Sequence, residues 1–171
     1  MRIFAFATAL TLAVAPLAAQ SGPDPSTDKA AILATINKLF ATMRSRDTAA
    51  MRTLFEPGAR LVGIRTHGDG TPYIQTISVD QWLSFNARDS TRGAWVERAY
   101  NPAVQIDRTL ATVWADYTFY FDTRLTNCGT DAVQLLKLGD AWKIVSLADT
   151  YRTNCDERTG APPTPRDNSG N

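Results

Sequence analysis

The run LATVWADYTFYFDTRLTNCGTDAVQLLKLGDAWKIVSLADTYRTNC (residues 110–155) decides the fold. Residues 111–122 are dense in Val, Trp, Tyr, Thr and Phe, side chains that suit a pleated, half-buried surface. RLTNCGT (124–130) supplies turn formers, and Gly139-Asp140 supplies a second turn. The stretch therefore reads as three antiparallel strands joined by two short connections. In such a meander the third strand returns to the level of the first turn. Cys128 at that turn and Cys155 just past the last strand then meet at one end of the sheet. A Cys128–Cys155 disulfide is expected.

Working towards the N-terminus, Ala94–Asp107 reads as a further strand, interrupted at Asn101-Pro102, where proline implies an edge, a bulge or a bend. Ser78 and Gln81 have the spacing of a capping box opening a short helix, with Val79, Trp82, Leu83 and Phe85 on its apolar side. Before it, ARLVGIRT (59–66) and YIQTI (73–77) form a hairpin around the glycine-rich HGDGTP turn (67–72). Ile32, Ile36, Leu39, Phe40 and Met43 recur every three or four residues, giving an amphipathic helix from about Thr27 to Ser45. Asp47 reads as the N-cap of a shorter helix that buries Met51, Leu54 and Phe55 and stops at Glu56-Pro57-Gly58. Helices early and strands late argue an α+β class, an antiparallel sheet covered on one face by helices.

The ends carry a different message. MRIFAFATALTLAVAPLAAQ (1–20) has Arg2, an apolar run from Ile3 to Val14 and small residues at Ala18-Ala19, the layout of a secretory signal peptide (1–19). The apolar run is too short for a comfortable membrane span. After cleavage no membrane attachment is expected, and export to a periplasmic or extracellular, oxidising compartment agrees with the disulfide. QSGPDPST (20–27) reads as a linker, residues 28–155 as a single domain, and the Pro-rich 156–171 as a disordered tail.

The 171 residues carry a formal net charge of +1, with no Lys/Arg run to face phosphates, so nucleic acid is not an expected partner. One histidine and two cysteines support no metal site, and no P-loop, nucleophile elbow or dinucleotide motif is present, so no cofactor is expected.

The order of elements over residues 28–152 resembles the nuclear transport factor 2-like superfamily, with its ketosteroid isomerases, scytalone dehydratase and SnoaL-like cyclases. The resemblance rests on the amphipathic first helix, the short second helix, VWADYTFYFD (113–122) and the strands after it, with Trp-Lys-Ile (142–144) its most recognisable piece. It implies a strongly curved, mixed or antiparallel sheet wrapped around N-terminal helices, a cone-shaped α+β barrel with an internal pocket, and often a dimer through the sheet. A fold of this kind hosts many functions, so the site must be argued residue by residue.

Related isomerases use a strand aspartate as base, which draws attention to Asp116. Strand parity counts against it: Val113, Ala115, Tyr117, Phe119 and Phe121 form the apolar set, leaving Asp116 on the outer face and Tyr117 as the one polar tip inside. Related dehydratases use histidine, and His67 is the sole match, at a glycine-rich turn where exposure is expected. His67, Asp116 and Tyr117 are thus the candidate catalytic residues. Phe40, Tyr73, Trp82, Trp95, Tyr117 and Gln134 are the candidate pocket residues, aromatic walls with a few hydrogen-bonding tips. Gln134 is placed inward because Lys137 and Lys143 are taken to mark the outer parity. Asp149 joins it if its strand turns that side inward. Trp114, Thr118, Tyr120, Val145 and Leu147 leave an apolar outer face, suited to a homodimer. Three functions remain open: binding of a small apolar molecule, acid–base catalysis of an isomerase, dehydratase or cyclase kind, and association through the sheet.

Overall fold

The computed structural model describes residues 25–88 and 93–155, with helices α1 (Pro25–Ser45), α2 (Thr48–Arg52) and α3 (Val79–Arg88). The strands are β1 (Phe55–Thr66), β2 (Pro72–Ser78), β3 (Trp95–Asp107), β4 (Leu110–Phe121), β5 (Arg124–Leu138) and β6 (Ala141–Asp149). The signal peptide, residues 20–24 of the linker and the tail lie outside the described residues. The strands form one sheet in the order β2-β1-β6-β5-β4-β3. The β1–β6 pair is parallel and the other pairs are antiparallel, so the curved sheet is mixed. The class is α+β, as the sequence pattern implies.

Helix α1 begins at Pro25, inside the stretch that reads as linker, with Asp28 in its first turn at the positive end of the helix dipole. Its stripe Ile32, Ile36, Leu39 and Met43 is buried against the concave face of the sheet. Asp28 is buried too, because it accepts from Lys137 Nζ (2.6 Å) and Trp142 Nε1 (3.2 Å). That tie joins the first turn of α1 to β5 and β6. Asp47 caps α2, accepting from the Ala50 amide at 2.9 Å. The helix ends at Arg52, earlier than Glu56-Pro57-Gly58, which instead lies in β1 where its pairing with β6 shifts register. Ser78 and Gln81 form the reciprocal capping box of α3. Val79 and Leu83 are buried, whereas Phe85 is exposed.

The meander has one correction. RLTNCGT is strand, not turn: β4 and β5 are joined by Asp122-Thr123 alone, with Asp122 at φ +54°. Cys128 therefore sits inside β5. The disulfide to Cys155 still forms, with Cα atoms 5.9 Å apart. The chain past β6 keeps following β5: the Thr150 amide donates to Thr130, and Cys128 and Arg152 exchange both backbone bonds.

Three register shifts decide which side chains reach the interior. On β3 the extra residue falls at Asn101-Pro102, where Asn101 has φ +49°. Thr126 is the extra residue of β5 against β4, and Val145 that of β6 against β5. Each bulge bends the sheet and exchanges the faces of every residue beyond it.

Candidate active site in the cone

Between the helices and the concave face lies a cavity of about 340 Å³. Its walls are largely aromatic and aliphatic. Trp82 of α3 approaches Trp95 of β3 (centroids 6.1 Å), Trp95 meets Phe119 edge-on (5.8 Å), and Phe119 meets Phe121 (5.4 Å). Leu39 and Met43 of α1, Leu61 and Ile77 of the first hairpin and Leu147 of β6 complete the apolar lining.

One side of the cavity is polar. Asp131 on β5 stands opposite Asp149 on β6, which stands opposite Gly63 on β1. Glu97 on β3 and Tyr117 on β4 face the same space, and Arg65 of β1 reaches it from along the strand. Arg65 forms a two-pronged ion pair with Asp149, Nη1 to Oδ2 at 3.1 Å and Nη2 to Oδ1 at 3.2 Å. Its guanidinium also lies over the Tyr151 ring, 5.5 Å from the centroid. The Tyr117 hydroxyl donates to the Thr150 carbonyl at 2.8 Å, with Asp149 Oδ2 at 3.5 Å. Glu97 and Asp131 hydrogen-bond to one another.

Two glycines make this arrangement possible. A Cβ at Gly63 would stand 2.3 Å from Arg65 Nη1 and 2.5 Å from Asp149 Oδ1. One at Gly129, the cross-strand partner of Tyr117, would stand 2.0 Å from the Thr150 oxygen and 2.6 Å from the Tyr117 ring. The missing side chains are where the ion pair and the tyrosine lie.

Burial governs the proton inventory. Asp131 is 6% exposed, and burial, reinforced by the charge of Asp149, pushes its carboxyl up to about 7 despite the hydrogen bond from Glu97. Burial also raises Glu97 well above the carboxylate range, and the charges of Asp131 and Asp149 add to it. Burial raises Asp149, opposed by Arg65 and the Tyr117 hydroxyl. Tyr117 is pushed upward by burial and then by the three carboxyls, so it stays a protonated donor. At neutral pH the Glu97–Asp131 pair holds a proton facing an apolar cavity, an arrangement able to give or take a proton there.

The sequence-derived candidates divide. Trp82, Trp95 and Tyr117 line the cavity. Phe40 packs against the core from α1 outside the lining. Tyr73 and His67 stack on each other at the hairpin, centroids 4.3 Å apart, with Tyr73 37% exposed and His67 exposed. Asp116 lies on the outer face, where its carboxylate accepts from Thr130 Oγ1 at 3.3 Å.

Gln134 is placed wrongly by parity: it is exposed, in an outer groove that Trp114 also lines. The error lies with Lys137, taken as an outer marker although it points inward to Asp28. Leu147 likewise belongs to the cavity, not the outer face, because the Val145 bulge turns it in together with Asp149. Thr118 is fully buried, its hydroxyl 3.1 Å from that of Tyr100. Glu97, Asp131 and Arg65 were missed. The signal was there: Asp131 shares parity with Val133 and Leu135, Glu97 with Trp95, and Arg65 with Leu61.

The comparisons agree with this architecture. A family described as "Putative lumazine-binding" matches residues 27–148. An NTF2-like protein of unknown function from Shewanella baltica superposes with a TM-score of 0.58 at 17% identity, covering 77% of this chain and 98% of that one. Another from Silicibacter pomeroyi gives 0.58 at 19% identity, covering 75% and 99%. A Nostoc punctiforme protein of unknown function, with a cystatin-like fold, gives 0.60 at 14%, covering 75% and 94%. No curated protein matches the sequence.

Proposed function

The chain belongs to the family described as "Putative lumazine-binding", a ligand-binding group with the NTF2-like fold, and we propose that it is an exported domain holding a ring-sized small molecule in its cone. The observation that supports this is a 340 Å³ cavity walled by Trp82, Trp95, Phe119 and Phe121, with polar groups gathered on one side. Apolar walls with a few convergent polar groups are what small-molecule sites require. Isothermal calorimetry against neutral bicyclic compounds tests it. Saturable 1:1 binding that is lost in Leu61→Trp, which fills the cavity, is the expected result. Binding unaffected by that substitution would refute it. Export is tested separately by fractionation and N-terminal sequencing of the mature protein, with cleavage after Ala19 expected.

A second reading is favoured by one specific feature, the proton held by Glu97 and Asp131. On this reading the cone performs acid–base chemistry of an isomerase, dehydratase or cyclase kind, with Asp131 as base and Glu97, which holds the pair's proton, as the acid. Exchange of the α-protons of a small cyclic ketone into heavy water, followed by NMR, reads out the proton step without knowledge of the substrate. Loss of any catalysed exchange in Asp131→Asn would support it; exchange equal to that of buffer in the wild-type protein would reject it.

Association through the sheet remains the expected oligomeric arrangement. Trp114 is 62% exposed, and Leu110 and Leu136 are exposed with it. Trp114→Glu converting a dimer to a monomer in sedimentation is the outcome this predicts.

A further inference from the structure

Resting on the reading of the cone as a small-molecule site, we infer that its ligand is an organic cation: an ammonium or amidinium group seated on Glu97 and Asp131, carried by a ring that lies against Trp82 and Trp95.

The charge inventory of the cavity comes first. Its lining holds three carboxyls, Glu97, Asp131 and Asp149, and one cation, Arg65, with no lysine or histidine. Arg65 is committed to Asp149 through both prongs of its guanidinium. Among the described residues, Glu97 and Asp131 have no ion-pair partner, and their one side-chain hydrogen bond is to each other. Asp131 is 6% exposed, and its carboxyl is aimed into the cavity. A buried carboxyl without a counter-charge is costly to the fold, and its neighbours on β5, Val133 and Leu135, show that the core accepts apolar residues there. The pair is therefore explained by what enters the cavity rather than by folding.

The donors and acceptors left over point the same way. The Tyr117 hydroxyl is used on the Thr150 carbonyl, and Arg65 is used on Asp149. Beside the neutral Asn127 and Gln75 amides and the Tyr151 hydroxyl, the charge left uncompensated on the polar side is carboxylate, which suits cationic N–H donors and repels anions. The indole faces of Trp82 and Trp95 add cation–π attraction for a charged nitrogen beside a ring. A metal ion is a poorer occupant, since no group of three or more Asp, Glu, His or Cys among the described residues could hold one.

Seating the cation displaces the proton that the pair retains near neutrality, so binding and proton release are linked. The titratable and charged groups that share the cavity with the pair are Tyr117 from β4, Asp149 from β6, Tyr151 just past β6 and Arg65 from β1. From α1 and α3 the cavity receives Leu39, Met43, Trp82 and Phe85, and from β2 Gln75 and Ile77, none of which titrates. With Asp131 titrating at about 7, affinity for a cation falls roughly tenfold per pH unit below that point and levels off above it.

The test uses the full mature chain and three probes of one shape: 2-naphthylmethylamine, 2-naphthylmethanol and 2-naphthoate, titrated by calorimetry. At pH 8 the amine should bind at least tenfold tighter than the alcohol, and the naphthoate should not bind. That preference should shrink about tenfold between pH 8 and pH 6. Asp131→Asn and Glu97→Gln should each erase the preference while leaving alcohol binding within about threefold. Asp116→Asn, on the outer face, should leave it intact. Should one of the two cavity variants fail to fold, the other and the wild-type pH profile still decide. Alcohol binding as tightly as amine at pH 8, or a preference lost in Asp116→Asn, would overturn the inference and leave the small-molecule reading standing. Binding of none of the three would overturn both.

Discussion

Replacing Asp131 by Asn should make this protein more stable above neutral pH, and the size of the gain follows from where the carboxyl sits. Asp131 is 6% exposed on β5, and its carboxyl titrates at about 7 instead of the ordinary 3.8. An acid that titrates higher in the folded than in the unfolded chain binds more protons when folded, so stability is full below pH 4 and falls as pH rises to about 7. The difference corresponds to a penalty of order 4 kcal/mol at pH 8, where both states are ionised. Asparagine has nearly the same shape and carries no charge, so it removes the penalty while weakening the hydrogen bond with Glu97, a loss of about 1 kcal/mol. A net gain of about 2–4 kcal/mol is expected at pH 8, of order 10 °C in melting temperature. Thermal and urea unfolding should be followed by far-UV circular dichroism at pH 4.5, 6 and 8. The wild type should lose stability across this series, the variant should lose less, and the two should converge at the acid end. A variant less stable than wild type at pH 8, or a difference independent of pH, would refute the assignment of Asp131 as a buried carboxyl without a counter-charge.

Other substitutions probe the parts that hold the site. Gly129→Ala should cost about 2–3 kcal/mol in urea unfolding, because the new methyl meets the Thr150 carbonyl and the Tyr117 ring; an unchanged midpoint would show that Tyr117 does not lie across the glycine. Removing both cysteines should lower stability by about 3–4 kcal/mol, since the bridge spans a separation of 27 residues. Two free thiols titrated in the purified, unreduced protein would contradict the pairing. Asp28→Asn leaves Lys137 without its ion pair and should cost about 2–4 kcal/mol in urea unfolding.

Much of the fold was legible because it follows from short-range chemistry. The stripe Ile32, Ile36, Leu39 and Met43, the cap at Asp47, the box at Ser78 and Gln81, and the Gly139-Asp140 turn all declare themselves within a few residues. The odd-numbered inner set of β4 was also readable, and with it the exclusion of Asp116 from the cavity. The polar side of the cone was harder, because it depends on pairings between distant residues. Lys137 reads as a solvent marker until Asp28, 109 residues away, is seen to neutralise it in the interior. Asp131 and Glu97 share parity with buried neighbours, but a carboxyl at a core position is normally read as outward, and nothing nearby in sequence announces that a cavity faces it. RLTNCGT has the composition of a turn, yet its ends pair along β4, and the real turn is two residues long.

The β6 bulge shows why site residues escape a pattern argument even when the strand does not. Before Val145, the even residues Trp142 and Ile144 face the core; after it, the odd residues Leu147 and Asp149 do. A strand without the bulge would turn Asp149 to the outer face and Ala148 to the cavity, and Arg65 would have no partner. The bulge therefore does more than bend the sheet: it sets which of the two adjacent side chains meets Asp131. Gly63 then leaves the room in which Arg65 can close on Asp149, and Gly129 leaves the room in which Tyr117 can reach across β5. A core built for stability alone needs neither the glycines nor the irregular register, and it would avoid three carboxyls in one pocket. That these costs fall together on a single side of the cavity is the physical reason for locating function there and not at His67 or on the outer sheet face.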